Sequence, residues 1–233
     1  MKTLTAIEQF SAWSTGWKNE RKRKGTDPAK ILALWRQPTP RGWEREIWKG
    51  TLGYRKRTDD KGERCIEKEL FDGRPKVLIF PNEETNSECR VESIYHNMPL
   101  ANQRGGQVIA DAFGVLKIDK CTRPLMIEVK VTANDPWFAL VENLQQIRLA
   151  RACARKIQEF VLKSSKERVA RGVWGLILAP ESYYTKHAAS LEKCRILLDA
   201  LKQSSRARVA FGHSDYLADD QIKIIAHNWL AKP

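Results

Sequence analysis

A strand with charges in its middle sets the first constraint on this chain. Residues 124–132, PLMIEVKVT, are apolar at Ile127, Val129 and Val131 and charged at Glu128 and Lys130. Alternate side chains of a strand share a face. One face is therefore apolar, and the other carries a carboxylate and an ammonium side by side. The run before it, QVIADAFGVLKI at 107–118, has the same anomaly: Asp111 stands among Val108, Ile109, Ala110, Ala112 and Phe113. A lone carboxylate in a buried strand must be paired or must bind a cation. A turn around 119–124 separates the two runs. As hairpin neighbours, they can hold Asp111 and Glu128 on one face.

The flanking segments predict an α/β fold. Residues 84–98 carry an apolar stripe at Val91, Ile94, Tyr95 and Met98, the spacing of a helix. A long helix is expected from NDPWF at 134–138 to about Ser164, capped by Asn134 or Asp135 with Pro136 in its first turn. GVWGLILA at 172–179 is a buried strand, 186–203 a helix, and 207–213 and 221–227 closing strands. The order is helix, strand, strand, helix, strand, helix, strand, strand. It gives a central mixed sheet flanked by helices. Upstream, 5–17 and 27–36 read as helices. Between residue 47 and the apolar strand at 76–80 the pattern turns to short strands, with turns at DDKG (59–62) and FDGRP (71–75). Two units are expected: a basic, Trp-rich region over 1–70 and an α/β core over 71–233.

Charge points to the partner. The net charge is +13, which favours a polyanion. Residues 1–64 hold 16 Lys and Arg against 8 Asp and Glu, together with Trp13, Trp17, Trp35, Trp43 and Trp48. Basic residues interleaved with aromatics suit phosphate contact and base stacking. A small helical unit with a tryptophan core and a solvated basic face has the same composition. Lys22, Arg23 and Lys24 are the densest candidates for phosphate contact. No apolar stretch is long enough to span a bilayer. Glu8 interrupts the N-terminal stretch where a secretory signal is apolar, and the five cysteines form no CxxC pair. A cytoplasmic protein without membrane contact is expected, and a homodimer is compatible with it.

Two carboxylates from adjacent strands make an oxygen-rich site suited to Mg²⁺ or Mn²⁺. A lysine two residues on, at Lys130, points the same way. The Asp111–Glu128-x-Lys130 arrangement resembles the PD-(D/E)xK phosphodiesterase superfamily, the restriction-endonuclease-like nucleases. It departs at Ala110, where that family often has proline. The resemblance implies a restriction-endonuclease-like fold and a metal-dependent nuclease cutting DNA, with RNA not excluded. It implies that Asp111, Glu128 and the Val129 carbonyl hold the metal. A Glu on the preceding helix, Glu92 or alternatively Glu88, would complete the set, and Lys130 would act on the attacking water or the phosphate. It also implies a polar residue from the following helix, for which Gln145 is the candidate. Gln145, Arg148 and Arg155 fall in one sector of that helix, a path for a phosphate backbone or a plain solvated face. Arg104, in the RGG loop at 104–106, could approach a phosphate closely.

Other chemistries fit less well. The four histidines show no HExxH spacing, and no P-loop or GxGxxG is present. Asp111 and Glu128 could form a glycosidase acid/base pair, but Lys130 and the net charge favour phosphate. A nucleic-acid-binding protein without catalysis, or a nuclease subunit active only in a larger complex, shares most of these features.

Overall fold

The computed structural model describes residues 5–22, 27–40, 51–52, 67, 70, 76–81, 86–101, 108–118, 121–131, 134–164, 168–169, 172–204, 207–216 and 222–227. The elements are α1 (Ala6–Lys22), α2 (Pro28–Arg36), β1 (Thr51–Leu52), β2 (Lys76–Pro81), β3 (Asn86–Ala101), β4 (Val108–Ile118) and β5 (Cys121–Val129). There follow α3 (Pro136–Ala152), α4 (Ala154–Ser164), β6 (Arg168–Val169), β7 (Trp174–Leu178), α5 (Glu181–Lys186), α6 (Ala188–Ser204), β8 (Arg208–Tyr216) and β9 (Ile222–His227). The turns expected at 59–62 and 71–75, and most of the short strands around them, lie outside the described residues.

The chain is α/β with a mixed sheet flanked by helices, as its pattern predicts. β4 and β5 form an antiparallel hairpin from Ile118↔Cys121 to Ala112↔Ile127. β7 lies parallel to β5 across α3, and β8 parallel to β7 across α6. β9 is antiparallel to β8 and parallel to β2, and β2 is antiparallel to β3. The β3–β4 pairing then returns to the start, so the sheet curls back on itself.

Alternation along β5 divides the core in two. Leu125, Ile127 and Val129 join Leu78, Val91, Ile94, Ala112, Leu176 and Leu178 on one face of the sheet. Met126 joins Phe113 and Ile177 on the other, beneath Trp137, Leu140, Leu144 and Ile147 of α3. Glu128 shares the face of Met126 and is only 2% exposed. The charges of the strand are therefore not on a wet face but under a helix. Phe10, Trp13 and Trp17 of α1 and Ile31 and Trp35 of α2 belong to the same helix-covered core. Caps agree with the sequence: Asp27 accepts from the Ala29 N–H at 2.8 Å and Asp135 from the Phe138 N–H at 2.9 Å.

Two elements depart from expectation. Residues 86–101 form a strand, not a helix. Its pairing with β4 shifts register between Glu92 and Tyr95, where three steps on β3 match two on β4. A bulge adds one residue to the alternation, so the buried positions run Val91, then Ile94, His96, Met98 and Leu100. That extra residue produces the i, i+3 spacing of a helix. The expected single helix over 134–164 is two, broken at Cys153 (φ −100°, ψ 21°).

Candidate active site

The site lies where the β4–β5 hairpin opens beneath α3. Continuing the hairpin register one step beyond Ala112↔Ile127 sets Asp111 opposite Glu128. Here the side chain of Asp111 replaces the backbone ladder: its Oδ2 accepts the Val129 N–H at 2.9 Å. Glu128 is held from both sides. One oxygen accepts from Lys130 Nζ, and the other from Gln146 Nε2 at 2.6 Å. Lys130 follows the last residue of β5 and still donates its N–H to Leu178 of β7 at 2.9 Å. Its ammonium also lies 3.6 Å from Glu142 on α3. Glu142 is in turn ion-paired with Arg21, which comes from the last turn of α1 and packs over the Phe138 ring at 5.1 Å.

Asn143 and Gln146 explain how α3 is held over the hairpin. Asn143 Nδ2 donates to the Met126 carbonyl and to Gln146 Oε1, both at 3.2 Å. Gln146 Nε2 also donates to the Ile109 carbonyl at 3.2 Å. One helix turn thus reads the backbone of both strands and the Glu128 carboxylate.

Three carboxylates, Asp111, Glu128 and Glu142, face two cations, Lys130 and Arg21. The excess of negative charge falls on the most buried member. Burial raises the Glu128 carboxyl well above its ordinary 4.5, and the Asp111 and Glu142 charges add to the rise, with Lys130 opposing. For Lys130, burial acts to lower the ammonium, but Glu128, Asp111 and Glu142 outweigh it and hold the group protonated.

The Glu128 shift has a consequence for stability. The folded state binds the proton more tightly than the unfolded chain. The stabilisation is full below pH 4.5 and is lost as pH rises through the folded-state value. Without divalent ions, the melting temperature should fall as pH rises from 4.5 towards the folded-state value and level off above it. Glu128→Gln should flatten the dependence, as thermal melts across a pH series in chelator would show. Parallel curves for the two proteins would remove the charge excess as the cause.

Carboxylate oxygens are the donors that a hard divalent cation takes. Two carboxylates face each other with net negative charge around them, and Mg²⁺ commonly takes one or two carboxylates from a protein, filling its shell with water and substrate oxygens. Among the described residues no three His, Cys, Asp or Glu side chains gather closely enough to hold a metal by themselves. Asp111 and Glu142 keep partial solvent contact, which leaves the cluster open on one side.

The other expected residues are placed as follows. Glu92 lies on β3 opposite Val115, about 13 Å along β4 from Asp111. It pairs with Lys117 at 3.2 Å and does not join the cluster, and Glu88, opposite Ile79, is farther still. Gln145 points away, donating to Ser14 Oγ of α1 at 3.2 Å; its neighbour Gln146 is the glutamine that reaches Glu128. Arg148 and Arg155 share no surface. Arg148 donates to the Gln37 carbonyl at 2.6 Å and lies over the Trp35 ring, while Arg155, beyond the break at Cys153, is exposed beside Glu159. Lys22 is exposed at the end of α1. Arg23, Lys24 and Arg104 lie outside the described residues.

Arg148 therefore clamps α2 to α3. Its truncation to Ala should lower stability by about 1–2 kcal/mol through the lost carbonyl bond and ring contact, read by urea unfolding. An unchanged midpoint would return it to the solvated face of the helix.

Glu142, Gln146 and Arg21 were not singled out by the sequence. Gln146 sits one residue from the expected glutamine, and its i+3 spacing from Asn143 marks the face over the sheet. Arg21 is separated from Glu142 by 121 positions, so no local signal joins them. Among the described residues no helix is long and apolar enough to cross a membrane. The chain matches no protein-family model, no curated protein and no solved structure.

Proposed function

We propose that the protein is a metal-dependent nuclease that hydrolyses phosphodiester bonds in DNA, with a restriction-endonuclease-like core. One observation carries the reading: Asp111, Glu128 and Lys130 converge at the opening of the β4–β5 hairpin, in a cluster whose carboxylates outnumber its cations. The position agrees with the tendency of α/β sheets to bind ligands beyond the carboxyl ends of parallel strands. Glu128 and Lys130 lie at that end of β5, which runs parallel to β7.

Asp111 and Glu128, with the Val129 carbonyl, would hold Mg²⁺ or Mn²⁺. When bound, the ion polarises a phosphate oxygen and lowers the pKa of a water. Lys130, itself buried, supplies a positive charge for the additional negative charge of the transition state. The peptide N–H of Val129 orients Asp111, and Gln146 orients Glu128. Basic residues elsewhere, with Lys22 at the end of α1 among them, supply affinity for the polyanion independently of sequence.

The test is nicking of supercoiled plasmid by the purified protein in Mg²⁺, Mn²⁺ and chelator. Cleavage that needs the divalent ion and is lost in Asp111→Asn supports the reading. Retention of DNA binding with no cleavage under any ion would leave a binding protein instead.

A further inference from the structure

Glu128 cannot be an open ligand while both of its oxygens are engaged, one by Lys130 and one by Gln146. Gln146 is itself fixed to the Ile109 carbonyl and to Asn143, so Lys130 is the partner that can leave. A buried ammonium needs another anion to go to. Glu142 is already there, 3.6 Å from Nζ and 22% exposed at its side chain. Arg21, seated on Phe138, holds it.

We propose that Glu142 is a positioning residue: it is the alternative seat of Lys130, drawing the ammonium off Glu128 when a divalent cation binds. This inference rests on the metal-dependent reading above. It gives Glu142 a role through Lys130 and not as a ligand. It also gives α1 a role, because the carboxylate that receives Lys130 is anchored by a residue of the N-terminal helix. The side chain of Lys130 moves a short way between two carboxylates on adjoining elements, and no backbone change is needed.

The roles separate in a double-mutant cycle read by Mn²⁺-dependent melting temperature, not by activity. Wild type should be stabilised by Mn²⁺. Glu142→Gln, which keeps the size and an acceptor for Arg21, should weaken the apparent Mn²⁺ affinity by about tenfold. Glu142→Asp, which keeps the charge but shortens the reach, should lose less and guards against a folding defect in the first variant. Lys130→Ala should bind Mn²⁺ at least as well as wild type, since the competing ammonium is gone. In the Lys130→Ala background, adding Glu142→Gln should change affinity by less than about threefold.

An equal loss in both backgrounds would overturn the proposal, making Glu142 a direct ligand or a general source of negative field. No loss in Glu142→Gln would overturn it as well while leaving the metal reading intact. A wild type that Mn²⁺ does not stabilise would overturn both.

Discussion

Asp111→Asn and Lys130→Ala are each expected to lower plasmid cleavage by about 10²–10³-fold, the usual loss when one preorganised charge is removed from a site of this kind. Asp111→Asn is the cleaner of the two. The amide oxygen can still accept the Val129 N–H that now reaches Oδ2, so the hairpin keeps its geometry while the negative charge disappears. Mn²⁺ should then no longer raise the melting temperature. Lys130→Ala should separate the effects, with cleavage lost and metal-linked stabilisation kept, because an ammonium does not ligate a cation. Both variants should bind DNA much as wild type does, since phosphate contacts elsewhere carry most of the affinity. Cleavage surviving in both would reduce Glu128 and Lys130 to a buried structural ion pair.

The hairpin was legible because its two anomalies are local. Asp111 and the Glu128–Lys130 pair each break an apolar strand, and 16 intervening residues with one turn leave little choice of register. The residues that complete the cluster are legible only in part. A helix pattern shows which face of α3 is apolar, yet α3 is buried almost all round: Leu144 and Ile147 face the sheet, Gln145 faces α1, and Gln146 is fully buried. With no polar side to anchor the phase, choosing between adjacent glutamines needs the packing partners. The Arg21–Glu142 pair is beyond any local reading, since α1 and α3 meet only in the tertiary fold. β3 shows a different limit. Its sequence does alternate, but the extra residue of the bulge shifts the phase midway and imitates a helical stripe. The tryptophans show a third. Trp13, Trp17 and Trp35 serve the core, while Lys22 near them is exposed, so composition alone could not assign the aromatics to core or to surface.

Gly175→Ala is expected to cost about 3 kcal/mol or more of stability, at the upper end of what overpacking costs, and to reduce cleavage as a secondary effect. Gly175 lies on β7 between Trp174 and Leu176, opposite Met126 of β5. A Cβ there would meet Asn143 Oδ1 at 1.9 Å, Ile147 Cδ1 at 2.9 Å and Asn143 Cγ at 3.0 Å. Asn143 is fully buried and held by the Met126 carbonyl and Gln146, so it is not a loose end that can swing away. Either α3 lifts from the sheet or Asn143 gives up its bonds, which strands the Met126 carbonyl in an apolar layer. Both routes disturb Gln146, the residue that fixes Glu128. The loss should therefore appear in two measurements: a lower urea midpoint, and weaker Mn²⁺-linked stabilisation in the protein that remains folded. Gly175→Ala combined with Asn143→Ala should recover part of the stability, because the second change removes the obstructing amide. If the single variant melts like wild type, α3 is not seated on β7 by this contact, and the account of how Gln146 reaches Glu128 fails with it.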